Sequence, residues 1–144
     1  MNSPDRNEVC DGRHGGCLCG AVRYRAVGHF RDSCFCHCES CRRAAGATPV
    51  AWGTVDLSDF HVEHGELTVR ESSKGVKRGF CSRCGSAITY WHHLRGEEID
   101  ITLASLDNPA SVTPEDHIWV CDKPGWVVIS DELPQYATVR QVEQ

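Results

Sequence analysis

No stretch of the 144-residue sequence approaches the roughly 20 consecutive apolar residues that a membrane-spanning helix needs. A membrane is therefore not an expected partner. Positive charge is also short: 15 Lys and Arg stand against 20 Asp and Glu, for a formal charge of −5. A nucleic-acid binder needs a basic surface that displaces counterions from phosphate. Here the basic clusters are the pair Arg42-Arg43 and the looser group Lys74, Lys77 and Arg78, so nucleic acid is not expected either. Met1 to Gly12 offers neither the basic start nor the apolar stretch of a secretion signal. The cytoplasm is the location expected by default. Helix signals are scarce, with one short turn predicted over 38–45, and no internal repeat or low-complexity segment is evident. What remains is a composition of ordinary globular type, long enough for a single core.

Short segments with strand character fill much of that chain. Over 21–27, Val22, Tyr24 and Ala26 alternate with Arg23 and Arg25, the period of a half-buried strand. Over 98–103, Ile99, Ile101 and Leu103 alternate with Asp100 and Thr102. Further strands are predicted over 49–55, 61–63, 67–71, 87–91, 117–121 and 126–129. Gly65-Glu66 supplies a hairpin turn, and Lys123-Pro124-Gly125 separates the last two strands. Many short strands with turn signals between them predict an all-β fold.

The unusual feature is the cysteine count, ten in this length. Such a count means either a disulfide framework or metal sites. The absent secretion signal disfavours disulfides, and the spacing favours metal. Seven cysteines fall in three tight groups: Cys17-Leu-Cys19-Gly20, Cys36-His-Cys38-Glu-Ser-Cys41 and Cys81-Ser-Arg-Cys84-Gly85. One turn aims two thiolates at a common point about 2.3 Å from a zinc ion, and a following Gly lets the chain turn without Cβ strain. Cys17, Cys19, Cys81 and Cys84 supply the four ligands of a closed structural zinc, clipping a long loop shut. The competing reading makes Cys81 and Cys84 a redox pair. Cys36, Cys38 and Cys41 supply three ligands with an open fourth position, the layout of a catalytic zinc. His37, Cys34 or a distant His could instead close that site. His37 sits between two ligands and is expected to point away from the metal they share.

These three groups, with their flanking residues Gly16, Ala21-Val22, Arg42 and Gly79-Phe80, resemble those of the glutathione-dependent formaldehyde-activating enzyme family, also called GFA or CENP-V-like. Thr102-Leu103-Ala104-Ser105-Leu106-Asp107 and His117-Ile118-Trp119 are similar to its C-terminal half. The likeness runs over about 15–136, which divides the chain into an N-terminal tail (1–14), a GFA-like zinc-binding domain (15–136) and a C-terminal tail (137–144). It implies a Mss4-like fold of packed β-sheets. It also implies a structural zinc at Cys17, Cys19, Cys81 and Cys84 and a more labile zinc at Cys36, Cys38 and Cys41. The activity it implies joins formaldehyde to glutathione, giving S-(hydroxymethyl)glutathione, a reaction classed with the carbon–sulfur lyases. Cys10, Cys34 and Cys121 match no zinc motif and are expected as buried apolar residues or as a third thiol cluster.

On this reading a substrate thiolate occupies the open position of the second zinc, because zinc lowers the pKa of a bound thiol. His37 and Glu39 are the candidates for moving the proton, each also readable as a supporting or solvated residue. Arg42 and Arg43 are the candidates for the carboxylates of glutathione, or a solvated helical turn. His92-His93 is expected at a loop end, and Trp52 and Trp119 are readable as cleft-lining or as core residues. The competing class is a zinc-stabilised binding module or chaperone-like protein of Mss4 type, in which a protein side chain closes the second site. The oligomeric state is open, a homodimer included.

Overall fold

The computed structural model describes residues 12–140. Among the described residues, ten strands and one α-helix follow in the order β1 (Arg13–Gly16), β2 (Arg23–Ala26), β3 (Arg31–Cys36), α1 (Glu39–Ala45), β4 (Val50–Asp56), β5 (Phe60–His64), β6 (Thr68–Ser73), β7 (Val76–Phe80), β8 (Ala87–His92), β9 (Glu98–Thr102) and β10 (Asp116–Ile118). They form a three-stranded sheet, β1-β2-β5, and a seven-stranded sheet, β10-β3-β4-β9-β8-β7-β6. Every pairing is antiparallel except that of β10 with β3. The expected all-β class is what the chain adopts.

The alternation read from the sequence decides which face is buried. In β2, Tyr24 and Ala26 are buried and the two arginines between them are not. In β9, Ile99 and Ile101 are buried against Val55 of β4 and Ile88 of β8. These residues and Val22 form the main core, which joins the small sheet to one face of the large one. Strand β4 runs through the middle of the large sheet, buried at every position from Trp52 to Val55. Gly53 is required there, because a Cβ would lie 2.5 Å from the Phe30 ring and 2.8 Å from Leu103. Gly65 is required between β5 and β6, at φ +73° and with Ala21 O 1.9 Å from where a Cβ would sit.

The opposite face of the large sheet carries a second, smaller core. Cys34 pairs with Trp52 across β3 and β4, and Asp100, Tyr90 and Arg78 line up across β9, β8 and β7. Cys34, Cys36, Cys41, Val50 and Trp52 pack together there, with Tyr90, Ile118 and Trp119 against them. The helix α1 lies at this end. Its N-cap is Cys38, whose sulfur accepts from Cys41 N at 3.3 Å, and its C-cap is Gly46 in the left-handed region. A cysteine thus takes the place of the usual Ser or Asp.

Several expectations require correction. The strand predicted over 126–129 is absent. Trp126 and Val128 are 77% and 80% exposed, and Pro124 accepts from Val127 N in a turn. Apolar composition suggested a strand, but no neighbouring strand offers the segment a ladder. The strand predicted over 117–121 covers only Asp116–Ile118, since Trp119 takes a left-handed φ of 56° and a 3-10 turn follows. At the N-terminus, β1 starts at Arg13, inside the segment expected as tail. At the other end, Ala137 and Thr138 accept from Cys121 N and Trp119 N, and Arg140 pairs with Asp116 and Asp32. Strands β3 and β7 were not expected. Cys10 lies outside the described residues.

Candidate metal and thiol site

Two similar turns build the first cluster. After β1, Cys17 N donates to Val22 O, Gly20 N donates to Cys17 O, and Gly20 takes φ +80°. After β7, Cys81 N donates to Ser86 O, Gly85 N donates to Cys81 O, and Gly85 takes φ +82°. Each turn thus ends on the glycine that the sequence places after its second cysteine. Leu18 N donates to Ser86 Oγ at 3.0 Å, tying one turn to the other. The sulfurs of Cys17, Cys19, Cys81 and Cys84 come within 4.8 Å of one another. Cys17 to Cys19 is 3.7 Å and Cys19 to Cys81 is 3.8 Å. Four sulfurs bound to one tetrahedral zinc at 2.3 Å stand about 3.8 Å apart, so the donor set fits such an ion. Val22 N donates to Cys17 Sγ, and Ser86 Oγ lies 3.1 Å from Cys84 Sγ. The Ser86 hydroxyl and nearby backbone amides hold the Cys84 thiol down at about 5, favouring the thiolate a metal needs.

The second cluster sits where β3 runs into α1. Cys36 is the last residue of β3, Cys38 caps the helix, and Cys41 lies in the first turn. Their sulfurs also lie within 4.8 Å of one another, Cys36 and Cys41 at 3.7 Å, again close to a tetrahedral edge. Cys36 and Cys41 are buried and Cys38 is half-buried. The neighbouring thiols and the Cys41 amide pull Cys38 down to about 2, while Cys38 and Cys41 push Cys36 upward. Among the described residues no fourth Cys, His, Asp or Glu atom joins this group. Cys34 is buried on the same face, and burial pushes its thiol up to about 12, so it behaves as an apolar residue. Cys121 is exposed and approaches Asp122.

One neighbour of the second cluster was not singled out from the sequence. The two terminal nitrogens of Arg78 lie 3.8 and 3.7 Å from Cys41 Sγ, and its guanidinium stacks over the Tyr90 ring at 4.9 Å. The basic group 74–78 gave a weak signal, but only the β7–β8 register brings Arg78 to the thiols.

His37 points to β10. Its Nε2 is 2.8 Å from His117 Nδ1, and His117 Nε2 is 3.0 and 3.1 Å from the two oxygens of Asp131. A carboxylate only accepts, so His117 Nε2 carries a proton; with both rings neutral, its Nδ1 accepts and His37 Nε2 donates. This leaves His37 Nδ1 with a lone pair, fully buried and without a hydrogen-bond partner. Burial, and then the adjacent His117, holds the His37 pKa below the ordinary histidine range. Glu39 and Arg43 pair with each other on the exposed side of α1, at 3.0 Å. Arg42, half-buried on the same helix, takes part in no ion pair among the described residues. Trp52 is buried beside the second cluster with its Nε1 unpartnered, and Trp119 packs on the same core. His92 and His93 stack at the end of β8, apart from both clusters.

Comparison with known proteins agrees with this geometry. The profile of the family described as "Glutathione-dependent formaldehyde-activating enzyme" matches residues 12–122. A Halomonas elongata protein, provisionally named as a glutathione-dependent formaldehyde-activating enzyme, is 32% identical over 124 residues, covering 80% of this chain and 79% of its own. The crystal structure of a Rhodobacter sphaeroides protein superposes with a TM-score of 0.56 at 32% identity, over 70% of this chain and 91% of that one. The sheets and cysteine turns are those of the Mss4-like fold that the resemblance implied. Among the described residues no helix is long and apolar enough to cross a membrane.

Proposed function

The chain belongs to the glutathione-dependent formaldehyde-activating enzyme family, and from that premise we propose that it is a zinc-dependent enzyme of carbon–sulfur lyase type. Its reaction forms or breaks the adduct between the glutathione thiol and formaldehyde. The observation that carries this reading is the second cluster: three sulfurs within 4.8 Å and no fourth protein ligand among the described residues. Cys17, Cys19, Cys81 and Cys84 would hold one zinc for the fold, and Cys36, Cys38 and Cys41 a second for the chemistry. A zinc bound at the second cluster lowers the pKa of a coordinated thiol, so that glutathione presents a thiolate at neutral pH.

The chain's own groups then manage protons and charge. In the forming direction, sulfur bonds to the carbonyl carbon, the S–H proton leaves, and the carbonyl oxygen gains a proton to become the hydroxyl. His37 is our candidate for the proton carrier, because its tautomer is held by His117 and Asp131 and its Nδ1 lone pair is uncommitted. Glu39 is the second candidate, on the solvent side of α1 and linked to Arg43. Arg42 is proposed to meet a glutathione carboxylate, since Arg43 is already engaged by Glu39.

The test is zinc per chain before and after a mild chelator, followed by loss of free formaldehyde with glutathione. We expect two zinc ions, one of them easily stripped, and activity that disappears with that one. Two equally tight ions and no glutathione-dependent loss of formaldehyde would point to the non-catalytic binding module.

A further inference from the structure

Arg78 is a cation on the face of the large sheet that carries the second cluster. Among the described residues it forms no ion pair with Asp or Glu. Across β6 it faces Arg70, another cation, a like-charged pairing that a sheet disfavours. What meets the guanidinium is the Cys41 sulfur, 3.8 Å from one terminal nitrogen and 3.7 Å from the other. The Tyr90 ring beneath holds the planar fork in that orientation. Tyr90 is in turn braced by Trp52, with ring centroids 6.0 Å apart. The arrangement places a fixed positive charge against one of the three thiols.

Charge counting shows what such a cation can do. Three thiolates around a divalent ion leave a net charge of −1, and an incoming fourth thiolate makes it −2. Beside the buried Trp52, Cys34 and Val50, that second negative charge is poorly screened. A neutral fourth ligand meets no such penalty. We propose that Arg78 selects an anionic thiolate as the fourth ligand of a metal held by Cys36, Cys38 and Cys41, by neutralising the added charge through Cys41. The proposal rests on the reading of this cluster as a thiol-binding site. On binding, the incoming thiol gives its proton to the buffer, its sulfur keeps the electron pair that binds the metal, and nothing is oxidised or reduced. Arg78 does not touch the reacting carbon in this account. It is a positioning residue that acts through Cys41.

The experiment uses the full chain loaded with cobalt(II), whose absorption reports each thiolate bound. Wild type, Arg78→Met and Arg78→Lys are titrated with glutathione, with 2-mercaptoethanol and with imidazole, after cobalt content is measured. Methionine keeps an apolar stem against Tyr90 and removes the charge; lysine restores the charge without the fork. We expect Arg78→Met to weaken both thiols by about tenfold or more, Arg78→Lys to recover most of that loss, and imidazole affinity to stay unchanged in all three. Equal thiol affinity in wild type and Arg78→Met, at equal cobalt content, overturns the proposal. So does a Met variant that no longer holds cobalt at the second cluster, which would make Arg78 a structural support. Mercaptoethanol binding that depends on Arg78, without any glutathione binding, upholds the proposal and sinks glutathione as the substrate. A wild type that binds neither thiol overturns both.

Discussion

The four-sulfur cluster is made by two turns at the surface, and the three-sulfur cluster by a strand end and a helix start above a core. In the first cluster Cys19 is exposed and Leu18 beside it is 90% exposed, while Cys17 and Cys81 are buried in the main core. Its partners are far apart in sequence, and its two turns connect the small sheet to the large one. The second cluster is local, spanning six residues, and has Trp52, Tyr90 and Arg78 against it. A closed set of four donors suits a clip. An open donor set with a cation and aromatic rings beside it suits a site. Both clusters have buried sulfurs, so what separates them is the number of donors and the groups beside them, not depth.

The sharpest way to break this contrast is Cys81→Ser. Removing one of four ligands is expected to cost several kcal/mol, on the order of 5, enough to leave much of the chain unfolded at 25 °C. Far-ultraviolet circular dichroism through a urea titration reads this directly. A midpoint close to that of the unmodified chain would mean that the first cluster is not the clip. Cys38→Ser is the companion. Serine is itself a good N-cap, so α1 keeps the bond to Cys41 N that Cys38 now accepts. The expected change in stability is about 1 kcal/mol or less, with one metal ion lost per chain and glutathione-dependent formaldehyde loss abolished. If Cys38→Ser unfolds the chain as Cys81→Ser does, the two clusters are equivalent and the division fails.

A smaller effect is expected at His37. In His37→Gln the amide can still donate to His117 Nδ1, while the basic lone pair is gone. We expect turnover to fall by about a hundredfold or more, with both metal ions retained and the urea midpoint little changed. A large loss of stability, or of metal, would instead make the Asp131–His117–His37 chain a structural brace for the β3–α1 turn.

How much of this was legible follows from sequence distance. The cysteine turns were legible because each is a local motif, ending in a glycine that the left-handed backbone needs. Strands β2 and β9 were legible because one face meets the core and the other meets charge. Strand β3 was not, since Ser33, Cys34 and Cys36 are buried on both of its faces and the alternation is lost. Strand β7, Val-Lys-Arg-Gly-Phe, holds a Gly where Thr89 Oγ1 and Leu67 approach within 2.6 Å of a notional Cβ, so the pattern that would mark it is interrupted. Arg78 reaches Cys41 across 37 residues and His37 reaches His117 across 80. Such contacts depend on register between strands, and no local pattern encodes them. At 126–129 the error ran the other way: apolar residues with no partner strand stayed at the surface.

The smallest expected effect tests whether the clip has a rival on its own side of the molecule. Arg23 of β2 holds Asp107 through both carboxylate oxygens, and Asp107 N donates to His14 O of β1. This seam, like the first cluster, joins the small sheet to the segment after β9. The side chains of Arg23 and Asp107 are 40% and 52% exposed, however, so solvent screens the pair and its worth is under about 1 kcal/mol. Hydrogen bonding to Arg23 holds the Asp107 carboxyl below the ordinary carboxylate range. The folded state therefore binds fewer protons than the unfolded one at acid pH. Its contribution is full above the ordinary carboxylate pKa and is lost as pH falls through the lowered value. Asp107→Asn should reduce stability slightly at pH 7, and the gap from wild type should close below pH 4. Acid also releases metal from thiolates, but that loss is common to both proteins and cancels in the difference between their urea midpoints at each pH. A gap at pH 7 as large as that of Cys81→Ser would move the link between the sheets from the sulfurs to this ion pair.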